Sequence, residues 1–570
     1  MSVAVAQPPR EDPTPTQVQP VQEQSTAASA APDGRVYLAA AHASLSRWLR
    51  ILGPAPWLAD ESRSASASYR SASVLYRQQA ATLAIAMLCE LDPQRPDRPY
   101  LREVVRTSLI RWQLSLSGDG RPAHYRLRRS PLHAAILWHV VLLLSETTGF
   151  QTGLLLSDIE RHLRWLVRRP QRVPWLEAAT LCAMADGAVL VRDAALLAQA
   201  RDRLSAFLAR QDEEGWFPER GGADIGRLSL TVDALARLYR QSGWGELEEP
   251  LRRALGFLIH FVHPDGSAGG CYSSCDTAFL TPYGVELLAP TFTDAAALAL
   301  LGRRQCERFE THRAHRWPDG LCAVWGANLT LAAANATSRF PASCTYPCDA
   351  IGHKRFPHAA LSIFSTGAYH AVVGGKKGGA LRVTWRTGAA GLDDPGVTVV
   401  YPHKTRTSAR SDRRIVEHVT DSSVTASGFL RRTKLVSDRL RRWIKRPLWW
   451  IGSRRRAFST PLLTKESHPP RIDYQRLTHD RYNRQITFGE DWIRIRDCVH
   501  CRLPCKTIIC QSPSPVRGKP FSDSSILDPR AHTPIFVDGG RNVEITRLYR
   551  NGELVDHHPD SPQGTQRNKG

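Results

Sequence analysis

No asparagine precedes Asn328, so chemistry in the first half of the chain that needs carboxamides to neutralise a carboxylate must find other donors. No apolar run reaches the roughly 18 to 20 residues of a membrane-spanning helix; Pro131 to Leu144, the longest candidate, is interrupted by two histidines. That points to a soluble or peripheral protein. The first 34 residues are rich in Pro, Gln, Ala and Thr and lack an apolar h-region, so nothing there reads as a secretory signal and a disordered leader is expected over 1–34. Twelve cysteines in 570 residues without such a signal read as free thiols, and the expected location is the cytoplasm. Acidic residues are in deficit, 54 against 76 Lys and Arg, which gives a field that favours polyanions. Nucleic acid, acidic polysaccharide and anionic lipid would all satisfy it. No helix-turn-helix, zinc-finger or RNA-binding signature accompanies the charge, so nucleic acid is not an expected partner.

What is present has two periods. From Val74 to about Phe309 apolar residues recur at three and four, as in Leu75, Ala80, Leu83, Ile85 and Leu88, the spacing of amphipathic helices. Glycine turns interrupt them at Gly118-Asp119-Gly120, Glu213-Glu214-Gly215, Pro264-Asp265-Gly266 and Pro318-Asp319-Gly320. The spacing is about fifty residues with one double gap, into which a degenerate copy from Arg164 to Trp175 fits. Helix pairs of that length must stack to bury their inner faces, as an open solenoid or a closed ring. After about Phe340 the chain turns to short alternating stretches such as Ala380-Leu-Arg-Val-Thr-Trp and Trp492-Ile-Arg-Ile-Arg, which read as strands of a sandwich or barrel. The expected domains are a helical unit over 35–339, a β-sandwich over 340–555 and a disordered tail over 556–570.

The strand series is interrupted at 430–456. Arg431 to Arg456 holds eleven Lys or Arg, one acid and the tryptophans Trp443, Trp449 and Trp450. It reads as an excursion, helical before Pro447, suited to an anionic membrane surface or an acidic glycan.

Gln211 to Gln241, QDEEGWFPERGGADIGRLSLTVDALARLYRQ, and Leu258 to Pro290, LIHFVHPDGSAGGCYSSCDTAFLTPYGVELLAP, resemble bacterial heparinase II/III-like proteins. The resemblance continues through Phe356 to Gly379 and Arg541 to Tyr549 and covers roughly 75 to 550. It implies an α/α toroid followed by an antiparallel β-sandwich, a closed ring with a carbohydrate cleft, and polysaccharide lyase activity in those members that act. The departures are specific. Cys271, Cys275 and Asp276 stand where Glu, Arg and Asn are usual, Arg227 and Leu228 where Tyr and Gln are usual, and the His-x-His-x-Asp metal pattern is absent.

Uronate β-elimination needs donors that neutralise the carboxylate, a base, often Tyr or His, and an acid for the leaving oxygen. Candidates sit at the inter-helix turns. Tyr125, Glu219, Tyr272 and Asp276 are the catalytic candidates, and His124, Gln211, Trp216, Arg227 and Tyr283 the substrate contacts. Asp276 could equally cap a helix starting at Thr277, and Tyr272 or Trp216 could simply pack. Cys498, Cys501, Cys505 and Cys510 could supply four ligands for zinc, but the segment reads as strand, and no metal or other cofactor is expected. The reading is therefore a protein that binds, and can cleave by β-elimination, an anionic polysaccharide. Two alternatives stand beside it, a noncatalytic scaffold in polysaccharide assembly and a terpene cyclase or prenyltransferase-like toroid. The last lacks its Asp-x-Asp-Asp cluster and has no place for the strands.

Overall fold

The computed structural model describes residues 34–53, 72–121, 132–147, 153–219, 221–312, 319–337, 346–389, 391–401, 405–433, 479–503, 507–509, 534–536 and 541–560. Twelve α-helices precede sixteen strands among them. The helices are α1 (Arg35–Leu52), α2 (Ala72–Leu91), α3 (Arg98–Leu114), α4 (His133–Glu146), α5 (Gly153–Val167), α6 (Pro174–Val191), α7 (Ala194–Leu208), α8 (Ile225–Ser242), α9 (Glu248–Ile259), α10 (Tyr283–Leu288), α11 (Thr293–His312) and α12 (Asp319–Asn335).

Composition sorts them into two layers. In α4 every residue from His133 to Leu144 is buried, and α6 is buried from Leu176 to Ala188; a helix that is apolar all round must have neighbours on every side. By contrast α1 buries Tyr37, Ala41, Ser44, Trp48 and Leu52, and α9 buries Leu251, Ala254, Leu255 and Leu258. These are single stripes, which fit an outer layer. The packing follows: α2 lies on α4, α4 on α6, α6 on α8, α8 on α10, α10 on α12, and α12 back on α2. The odd-numbered helices lie outside. Of the two arrangements the repeat allowed, the closed toroid is the one adopted.

Closure is stitched by specific contacts. Trp48 of α1 donates Nε1–H to the Cys322 carbonyl at 3.1 Å, and a Cβ on Gly326 of α12 would sit 2.3 Å from the Trp48 ring. Tyr37 donates to Glu286 of α10 at 2.7 Å. Among the described residues one helix, α6, is long and apolar enough to cross a bilayer, although no run of that kind was expected; 78% of it is buried, as its place in the inner ring requires.

The strands form three antiparallel sheets. The first holds β1 (Gly352–Phe356), β2 (Leu361–Ser365), β3 (Tyr369–Gly374), β4 (Ala380–Trp385) and β5 (Leu392–Asp394) in chain order. The second has five short strands, β6 (Thr398–Val400), β7 (Thr405–Thr407), β10 (Arg431–Thr433), β13 (Thr507–Ile509) and β14 (Pro534–Phe536), and the third six, β8 (Val416–Val419), β9 (Ser423–Phe429), β11 (Arg481–Phe488), β12 (Trp492–His500), β15 (Asn542–Arg550) and β16 (Glu553–Asp560). Exposed and buried residues alternate along β11 and β12, the pattern of a sheet with one wet face. Their inner residues Ile486, Phe488, Ile493 and Ile495 pack on Tyr369, Val373, Leu381 and Trp385 of the first sheet. Within that layer Arg484 and Arg547 each reach both Asp394 and Asp497, at 2.6 to 3.4 Å. Two cations and two anions, all at most 2% exposed, compensate one another, which is the condition for burying charge at all.

Two boundaries differ from expectation. The polar tail does not begin at 556, because Asp556 to Asp560 pair with β15 as part of β16. The excursion does not begin at 430 or 431, because Arg431 to Thr433 form β10 against β7, with Arg431 buried and ion-paired to Asp412. The rest of that segment, its tryptophans included, lies outside the described residues, as do 1–33 and 561–570.

Candidate functional site where the ring meets the sandwich

The turn at 211–222 builds one side. Gly215 has φ +99°, and a Cβ there would lie 2.2 Å from the Arg253 carbonyl, so the glycine is required for the turn to lie against α9. Gln211 spends its amide on Gly215 O and Pro250 O, both at 2.9 Å, so it braces the turn. Trp216, 7% exposed, donates to Glu214 at 3.1 Å. Glu214 also accepts from the backbone N–H groups of His358 and Ala359, both at 2.9 Å, and Asp212 meets His358 Nδ1 at 3.1 Å. Residues 358–360 of the sandwich are thereby strapped to the ring. The Asp212 carboxylate raises the His358 imidazole above its ordinary value.

The turn at 263–277 builds the other side. The His263 N–H donates to the Ser267 carbonyl, and the Gly266 N–H to the His263 carbonyl, both at 2.8 Å, which closes a tight Pro-Asp-Gly turn. His263 Nδ1 faces Ser267 Oγ at 2.9 Å, and Nε2 faces the Tyr272 hydroxyl at 3.1 Å. Arg382 of β4, 3% exposed, donates to Ser267 Oγ at 2.7 Å and lies 3.8 Å from Asp265 and 3.6 Å from Asp393. Burial raises the Tyr272 phenol well above its ordinary value, and burial with Arg382 and His370 alongside holds the His263 imidazole well below its own. Both are neutral near pH 7.

Between the two turns lies a cleft of about 200 Å³, lined by Trp216, Gly222 and Tyr272 from the ring and by His358, Lys376 and Arg413, among others, from the sandwich. Lys376 and Arg413 are exposed, and no ion pair is seen for either among the described residues. The wall that faces the ring is therefore cationic. Tyr272 is only 1% exposed, and its hydroxyl is turned to His263.

The remaining candidates stand behind this wall or away from it. Glu219 is 1% exposed, accepts from Trp175 N at 3.1 Å and from Arg227 at 3.2 Å, and burial pushes its carboxyl up to about 7. The pair joins the ring turn to the first turn of α6. Asp276 caps no helix, since the next one starts at Tyr283; with φ +58° it turns to ion-pair with buried Lys377, which also reaches the Ser273 carbonyl. Tyr283 lies inside the ring, its hydroxyl 3.1 Å from Arg237 in a cluster with Asp186 and Glu146, and does not reach the cleft. His124 and Tyr125 lie outside the described residues. His133, His139 and His162 are buried within their helices.

No group of three metal-ligating side chains occurs among the described residues. Cys498 sits on the outer side of β12, whereas Cys501 is buried in the core with Val499 and Ile508; Cys505 and Cys510 lie outside the described residues. Residues that the sequence did not single out are His263, Ser267, Arg382, Lys376, Arg413 and His358. For His263 a signal existed, because of the four polar turns only this one is flanked by a histidine and a serine. Arg382 carried none, since an arginine in an alternating strand reads as solvent-facing.

No family model and no curated protein matches the chain. Among solved structures it is similar to a chondroitin AC lyase of Streptomyces coelicolor A3 in complex with chondroitin sulphate, at 12% identity over 82% of this chain and 71% of that one, with a TM-score of 0.44. It is also similar to a Paenibacillus xanthan lyase, at 13% identity over 85% of this chain and 47% of that one with a TM-score of 0.46. A heparan sulfate lyase of Pedobacter heparinus gives 9% identity over 83% and 68%, with a TM-score of 0.33.

Proposed function

We propose that the protein binds an anionic polysaccharide in the cleft between ring and sandwich and cleaves it by β-elimination, with Tyr272 as the proton-transferring group. The observation that carries this reading is the buried Tyr272–His263 hydrogen bond at 3.1 Å behind a cleft that Tyr272 lines together with Lys376 and Arg413. Elimination from a uronate requires its carboxylate to be neutralised while the adjacent carbon loses a proton. The two cations supply charge where no described residue lining the cleft is an asparagine. Lys377 is unsuited to that role because Asp276 already neutralises it.

The proton needs a base. Tyr272 is protonated at rest, but its neighbour His263 is a neutral imidazole that can take the phenolic proton, and Arg382 favours the phenolate that remains. The phenolate then removes the substrate proton, and the restored phenol can protonate the leaving oxygen. Glu219 and Asp276 act as structural ion pairs in this scheme.

The test is incubation with a panel of uronate polymers while the absorbance of the unsaturated product is followed. Turnover is expected with at least one polymer, and Tyr272→Phe is expected to lower kcat by at least about 100-fold with polymer binding kept. Binding without turnover across the panel would favour the noncatalytic scaffold, and neither would remove the carbohydrate reading.

A further inference from the structure

The hydrogen bonds around Ser267 leave one arrangement of protons. Ser267 Oγ has three partners: Asp265 Oδ1 at 2.5 Å, Arg382 Nη2 at 2.7 Å and His263 Nδ1 at 2.9 Å. An ionised carboxylate can only accept and a guanidinium can only donate. The single hydroxyl proton of Ser267 therefore points to Asp265, and its two lone pairs receive Arg382 and His263. It follows that Nδ1 of His263 carries the ring proton and Nε2 is bare. Nε2 is the atom that faces the Tyr272 hydroxyl.

We infer that Ser267 and Asp265 are positioning residues that fix His263 as the Nδ1–H tautomer, so that Nε2 is always ready to accept the Tyr272 proton. The inference deepens the proposed function and rests on it for its catalytic meaning, although the tautomer stands on geometry alone. In the step itself the Tyr272 O–H bond breaks and an Nε2–H bond forms, which gives an imidazolium and a phenolate. Nothing else is transferred. The imidazolium keeps its Nδ1–H bond to Ser267, whose oxygen Asp265 makes more electron-rich, while Arg382 faces the phenolate.

The groups that surround this pair act in both directions. Arg382 and His370 oppose charge on the ring, the His370 ring centroid lying 5.9 Å from that of His263. Arg382 favours charge on the phenol, whereas Cys271, Asp393 and Asp224 oppose it. Burial first, and these charges after it, hold the pair neutral at rest, and Asp265, 42% exposed, is the carboxylate bonded to Ser267. A serine placed between carboxylate and imidazole fixes the tautomer without pinning the proton to the ring. Direct contact with a carboxylate would instead favour the charged imidazole more strongly.

The experiment uses the full chain labelled with ¹⁵N-histidine, with the His263 signals assigned by their loss in His263→Gln. The wild type is expected to show a protonated Nδ1 and an unprotonated Nε2. In Ser267→Ala the Nδ1–H preference should disappear, and Ser267→Thr, which keeps the hydroxyl, should restore it. With a polymer that the wild type cleaves, Ser267→Ala should lower kcat roughly 10- to 100-fold with little change in KM, shift the pH profile, and be rescued by Ser267→Thr. An Nε2–H tautomer in the wild type would overturn the inference, as would an unchanged tautomer in Ser267→Ala. If no polymer is cleaved, the proposed function fails while the tautomer measurement still decides this point.

Discussion

His358 shows how one exposed side chain couples pH to the cleft. It lines the cavity, and Asp212 raises its imidazole above the ordinary value. A histidine with a raised value keeps its charge at pH values where an ordinary one has lost it, then loses it as pH climbs through the raised value. Affinity for a polyanion is therefore expected to fall as pH climbs above the ordinary imidazole range, by roughly two- to fivefold from this group, and His358→Gln should flatten that part of the profile. Equal slopes in the two proteins would show that His358 does not face the ligand. At this scale the sequence was legible where function and turn coincide and opaque where contacts are long-range. Trp216 and Tyr272, read as contacts or as packing residues, both line the cleft. Asp276 was read as catalytic or as a cap because its partner Lys377 lies 101 residues further on. Tyr283 was read as a contact because its position at a turn says nothing of Arg237, which occupies its hydroxyl inside the ring.

Among the elements, ring closure depends on α12 meeting α1 with almost no clearance. Gly326 and Trp48 form that contact, and Trp48 cannot swing aside because its Nε1–H is held by the Cys322 carbonyl. Alanine at a helical glycine ordinarily gains up to about 1 kcal/mol, but crowding a packed core costs about 1–3 kcal/mol, and crowding wins here because the indole is fully buried. Gly326→Ala is expected to lower stability in denaturant unfolding by about 1–2 kcal/mol; a gain would mean that α1 and α12 have room to separate. The helix-pair repeat was readable because Gly120, Gly215 and Gly266 take a positive φ at their turns, whereas Gly320, read as a fourth turn, lies in α12. Closure was not readable from the period, because an apolar inner helix looks the same in a solenoid and in a ring until its last copy meets its first; the closed ring was implied by the resemblance alone. The strand boundaries at 431 and 556 were missed for a similar reason: β10 and β16 are polar edge strands whose partners, not their own pattern, make them strands.

On the scale of the whole molecule, neither domain makes the site by itself. The ring supplies Trp216, His263 and Tyr272, and the sandwich supplies His358, Lys376, Arg382 and Arg413. The excess of 76 basic over 54 acidic residues pointed to an anionic ligand, and the two periods to helix pairs followed by a strand-built unit. The site at their junction was hidden because no local pattern records which strand loop faces which helix turn. The central claim is that an anionic glycan lies between the two domains with its reacting sugar at Tyr272. The most direct measurement is a crystal structure of the Tyr272→Phe variant with a uronate oligosaccharide. The account predicts that the strap at 358–360 is displaced, that a sugar carboxylate lies within hydrogen-bonding distance of Lys376 or Arg413, and that the adjacent carbon faces residue 272. An oligosaccharide bound elsewhere on the ring or the sandwich, with this cleft unchanged and empty, would contradict it.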